Sequence, residues 1–242
     1  MPKTRQLLLG SLTALLALGL STATASAKIS YEWYVNGNLL KEKETRAFDG
    51  ASDGHIFDFH AKLLGINVLM LSNSGSLKSG AVISGGKPGG GEGTIAITGV
   101  TVDPPLQKCV VETGGIPTPT QGVVETKLLK GEIVEGENGE VLILFTPKEG
   151  STFVELKFLN KGTEECAANG ASAEVTGSIL GLLSPQRTEV LRGDLTFEAA
   201  EHNFFLASGT LNTAGLTFGA EAATLTGLAL VLLTSDAIAG AF

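Results

Sequence analysis

Along most of the chain, apolar and polar residues alternate in short runs that glycine and other turn residues interrupt about every 8 to 14 positions. "KISYEWYV" puts Ile29, Tyr31, Trp33 and Val35 on one face. A period of two is that of a strand with one side buried. Asn36-Gly37 follows it and suits a tight hairpin turn, because both residues tolerate positive φ. "HIFDFH" alternates less cleanly, while "GTIAITGVTV" sets Ile95 and Ile97, then Val100 and Val102, in strand-like runs around a glycine. The stretch from Val123 to Gly162 reads as three strands, with turns at Glu137-Asn138-Gly139 and Pro147-Lys148-Glu149-Gly150. "TEVLRGDLTFEAA" and "AATLTGLALVLLT" continue the pattern.

No segment after the first 27 residues carries a long apolar stripe of helical period. The pattern predicts an all-β fold, an antiparallel sandwich-like or barrel-like architecture of many short strands. "AEVTGSILGLL" (173–183) and "ATLTGLALVLL" (223–233) echo each other, either as strands in equivalent places of paired hairpins or by chance in a chain rich in Leu, Thr and Gly. "TGGIPTPTQG" (113–122) is the candidate boundary, a link between two lobes or a long loop, because two prolines among glycines do not continue a central strand. Residues 28–242 are expected to form a single domain, large enough to bury about 70% of its unfolded surface.

The leader has a different pattern. Lys3 and Arg5 precede an apolar run from Leu7 to Leu20, and Ala25-Ser26-Ala27 has the small residues of a cleavage site. Residues 1–27 are therefore expected to be a secretory signal peptide, with the protein secreted to the extracellular space or the cell surface. The run is short for a bilayer span, and no cysteine follows it to carry lipid. The formal net charge is −8, and removing the leader takes away two more positive charges. An acidic chain without a basic patch has little electrostatic reason to bind nucleic acid. No transmembrane segment is expected once the leader is gone.

The only cysteines are Cys109 and Cys166. In an exported chain they are expected to form a disulfide, worth about 4 kcal/mol in the chain-entropy picture. Two isolated thiols without a nearby histidine cannot supply the four ligands of a structural zinc.

"SGGKPGGGEGTIAITG" (84–99) poses the question of a phosphate cradle. Lys87 is followed by Pro88 where a P-loop needs Ser or Thr, and an alternating run follows where a helix is required. The stretch is expected to be a flexible hairpin loop, and no cofactor is expected.

"GASDG" (50–54) matches G-x-S-x-G, so Ser52 is a candidate nucleophile, with His202 and Asp194 as the partners it would need. Neither flank has the strand-to-helix character of a nucleophile elbow. The same region offers Asp49, Asp53 and Gly54 to a calcium loop, but Ala51 and His60 stand at ligand positions. Calcium binding by Asp49 and Asp53 is left open. On a strand, His55 and His60 would face opposite sides and could not share a metal. The terminal "TSDAIAGAF" resembles the end of an outer-membrane barrel, yet the one Trp and two Tyr all lie within residues 31–34 and cannot build aromatic girdles.

Six phrases, "WYVNGNLL", "LLGINV", "LKSGAVISGG", "ILFTPKEGSTFVELKF", "CAANGASAEVTGSIL" and "GDLTFEA", occur in order along the chain. In them it resembles a family of uncharacterised exported β-rich proteins of high-GC Gram-positive bacteria. The resemblance implies an exported β protein and no catalytic residue. It also implies a cysteine soon after the "GINV" strand in relatives, where this chain reads "LMLSNSG". The expected function is a non-enzymatic structural or binding role at or outside the cell surface, with an envelope component or glycan as partner. The rivals are an extracellular hydrolase and an outer-membrane β-barrel.

Overall fold

The computed structural model describes residues 31–52, 54, 57–197, 202–235 and 237–242. The expected leader, Ile29, Asp53 and His55 lie outside the described residues. Among the described residues the regular structure is all strand.

The chain opens with β1 (Trp33–Val35) and β2 (Asn38–Leu39). Asn36 and Gly37 join them, with φ of 52° and 74°, the turn that their sequence predicts. After β3 (Thr45–Ala51), β4 (Phe57–Leu63) and β5 (Ile66–Ser72) form a hairpin around Leu64-Gly65. β4 buries Phe57, Phe59, Ala61 and Leu63 and turns Asp58, His60 and Lys62 away. Then come β6 (Ser74–Leu77), β7 (Val82–Ser84), β8 (Gly90–Gly93), β9 (Ile95–Thr98) and β10 (Thr101–Val102). β11 (Cys109–Thr113) and β12 (Val123–Glu125) flank the 113–122 stretch. The middle of the chain supplies β13 (Leu129–Gly136), β14 (Val141–Pro147), β15 (Thr152–Asn160), β16 (Ser172–Gly177) and β17 (Ile179–Ser184). The last strands are β18 (Gly193–Phe197), β19 (His202–Phe205), β20 (Leu211–Ala214), β21 (Leu216–Phe218), β22 (Glu221–Leu233) and β23 (Ala239–Ala241).

Eight antiparallel strands close a ring, in the order β3–β7–β8–β13–β14–β17–β18–β22 and back to β3. A ring of that number has an interior that side chains can fill. Ile83, Leu129, Ile133, Ile143, Leu195 and Val231 fill it here. By alternation the outer positions include Asp49, Glu92, Lys130, Glu132 and Asp194. The same outer face also carries Leu142, Leu182, Leu230 and Leu232, so it mixes charges with leucines, whereas a lipid-spanning barrel presents an apolar band outside and a polar interior. β1, β2 and β23 form a small separate sheet across one mouth. From it Trp33 enters the ring, 4% exposed, and donates its Nε1–H to Gly90 O at 2.8 Å.

A second tier uses the other half of the long strand. The N-terminal part of β22 pairs with β4 and β21, giving an arc β10–β5–β4–β22–β21–β16–β15–β11. Phe59, Phe158 and Phe218 meet edge to face inside it. At the seam Phe57 of β4 lies against Phe197, which lies against Phe145, with centroids 6.4 and 5.8 Å apart. One continuous set of buried residues runs through both tiers.

Cys109 and Cys166 form the disulfide, with an S–S distance of 2.03 Å. It ties the start of β11 to the loop after β15.

The glycine-rich stretch differs from its expectation. Gly90–Gly93 is not a loop but a strand of the ring wall, paired to β7 on one side and β13 on the other. A Cβ at Gly90 would lie 2.8 Å from Gly131 O, and one at Gly91 2.7 Å from Val82 O. The glycines serve close strand contact, a need that alternation does not reveal.

Candidate functional site

A cleft of about 180 Å³ lies where the end of β13 meets the β19–β20 hairpin. Its floor is Leu142 of β14 with Leu180 and Leu182 of β17; Leu142 and Leu182 are cross-strand partners. These residues point outward from the wall, because Ile143 and Leu183 on either side of the alternation point inward.

The rim is polar and built by the turn between β13 and β14. Gly139, with φ of 82°, lets the chain reverse there, and Gly136 N–H donates to Glu140 O at 2.9 Å. Gly136 lacks the Cβ that would crowd the Glu140 carboxylate. That carboxylate accepts from Asn138 N–H at 3.1 Å and from its side-chain amide at 3.0 Å. Its own backbone N–H, and then the Asn138 side chain, hold the Glu140 carboxyl below the usual carboxylate range, and His202 adds to the shift. Across the cleft, Asn203 donates to Glu137 Oε1 at 3.2 Å and accepts from Thr213 Oγ1 at 2.7 Å. Glu137, Glu140, Asn138 and Asn203 are thus oriented over a leucine surface, with His202 beside them.

The hairpin that forms one side of the cleft is held by its own small core. Phe204 and Ala214 pack on Val134, Leu144 and Leu180, apart from the main core.

Ser52 follows the end of β3, whereas Asp194 is on β18 and His202 on β19. The Ser52 hydroxyl accepts from Gly75 N–H at 2.7 Å and donates to Asn73 O at 3.3 Å, clamping the start of β6. Asp194 pairs with Leu230, whose other partner is Ala51, beside Ser52. His202 stands on β19, which joins the wall at β13 rather than at β3. Asp49 is exposed in the regular part of β3, opposite Leu232, and its Oδ1 accepts from Gly50 N–H at 2.8 Å. His60 is exposed on β4. Among the described residues no three His, Cys, Asp or Glu side chains gather as a metal site would need.

The sequence marks Glu137-Asn138-Gly139 as a turn and offers His202 as a triad partner, with nothing local that joins the two. The signal was thin. The residues are far apart in the chain, and only the β13–β19 pairing brings them together.

No known protein family, curated protein or solved structure matches the chain.

Proposed function

We propose that this chain is an exported, non-enzymatic protein that acts by binding, or as a structural part, at or outside the cell surface. The observation that carries the reading is the closed, apolar-filled ring with charges among its outer residues; the second tier beside it is stapled by Cys109–Cys166. A water-facing shell and a bridge between buried cysteines suit a protein working in an oxidising, aqueous place. The leader-like first 27 residues and the resemblance to an exported β-rich family point the same way. The use of the Ser52 hydroxyl as a backbone clamp supports a structural role for the G-x-S-x-G phrase. An envelope component or glycan is the partner class proposed.

Fractionation of cells expressing the full chain tests this. The protein is expected in the medium or envelope fraction, beginning at Lys28, with both thiols resistant to alkylation until reduced. Intact Met1 and free thiols in the cytoplasm would sink the reading. Ring closure and the terminal "TSDAIAGAF" are the features that favour an outer-membrane barrel. The charged outer positions run against it, and detergent-free extraction of the mature protein is the expected outcome.

A further inference from the structure

We propose that the cleft between the 137–140 turn and the β19–β20 hairpin binds a primary alkylammonium group, its carbon chain on the leucines and its nitrogen at the carboxylates. This rests on the reading of the chain as a binding protein and gives that reading a ligand class.

Three features select the class. The floor is hydrocarbon from Leu142, Leu180 and Leu182, so part of the ligand must be apolar to gain from contact. The rim carries the carboxylates of Glu137 and Glu140, which repel an anion. A purely apolar guest would strip water from them with nothing in return. A cation on an aliphatic stem meets both demands: the stem removes leucine surface from water and the ammonium donates charge-assisted hydrogen bonds. A flat sugar ring prefers an aromatic platform, and none of the lining residues is aromatic apart from His202. The rim is preorganised as well, since Asn138 fixes Glu140 and Thr213 fixes Asn203, so little ordering is left for binding to impose.

Size agrees. The cleft's 180 Å³ is close to the roughly 150 Å³ that accommodates a six-carbon ring in an apolar protein cavity. The cavities inside the two tiers are about 60 and 50 Å³ and lack charged groups that converge on their centres.

The test is an amide NMR titration of the mature protein with hexylammonium chloride, beside hexan-1-ol and sodium hexanoate. Saturable shifts of the Asn138, Gly139 and Asn203 signals are expected with the amine, and binding about tenfold weaker or worse with the alcohol and the acid. Glu140→Gln and Leu182→Asn should each weaken the amine about tenfold, whereas Glu92→Gln, elsewhere on the wall, should not. Preserved spectral dispersion shows that each variant folds. An Nα-acetyl-lysine amide arm separates a peptide-borne ammonium from a free amine; binding in either arm supports the proposal. Equal binding of hexan-1-ol, indifference to both cleft substitutions, or no saturable shift would overturn it. None of those results bears on export, which the fractionation reads separately.

Discussion

Gly227 is a single residue on which both tiers depend. It lies in β22 where the strand's partners change from β4 to β18. A Cβ there would overlap the Phe57 ring, and Gly75 lies flat against the same ring from another strand, its Cβ position 3.0 Å from Phe57 Cε2. Gly227→Ala is therefore expected to lower unfolding free energy by about 1–3 kcal/mol, the usual cost of overpacking. Adding Phe57→Leu should recover part of it, so the two changes should be non-additive in a double-mutant cycle read by urea denaturation. A neutral Gly227→Ala would show that the ring has room and that the seam is looser than drawn. The echo between 173–183 and 223–233 now has a physical content. Gly177 occupies the place of Gly227, and there too the chain leaves the second tier, as β16, for the ring, as β17. A Cβ at Gly177 would strike Gly215 O. The likeness was visible in the letters; the reason, a crossing where backbone or ring comes close, was not.

Among the elements, the β19–β20 hairpin stands apart. It touches the ring through two register pairs with β13, the Asn203–Glu137 hydrogen bond and its own cluster around Phe204. An element with few ties opens as a unit below the global unfolding energy. Phe204→Ala is expected to raise hydrogen exchange across 202–205 and 211–214 while β13 and β14 keep most of their protection, as read by mass spectrometry. Equal deprotection of the ring would mean that the hairpin belongs to the main cooperative unit. β4 was legible only in part, because "HIFDFH" alternates less cleanly than the other runs, and its Leu64-Gly65 turn came from the structure. β8 was not legible, because glycines have no apolar or polar side to alternate, and its strand character comes from its neighbours.

At the scale of the molecule, closure joins distant chain segments: residues 48–51 of β3 pair with the end of β22. The disulfide spans a sequence separation of 57 residues and constrains the unfolded chain more than the folded one. Replacing both cysteines by serine is expected to lower the unfolding free energy by about 4 kcal/mol. The far-UV circular dichroism of the native sheet should remain, because the continuous core does not need the bridge to form. A variant unfolded in buffer would show that the apolar filling of the two tiers does not hold the fold alone and that the bridge supplies the whole margin.

By itself the amino-acid sequence determined what depends on near neighbours. It set the two-residue period, the positive-φ turns at Asn36-Gly37 and Gly139, the paired cysteines and the acidic, patch-free charge. Each is a property of a few adjacent residues or of a count. Tertiary structure decided the ring, the division of β22 between two tiers, the strand role of Gly90–Gly93, and the meeting of Glu137 and Glu140 with His202 and Asn203. Those outcomes follow from which strands pair. Pairing is settled by packing between residues far apart in the chain, and no local pattern encodes it.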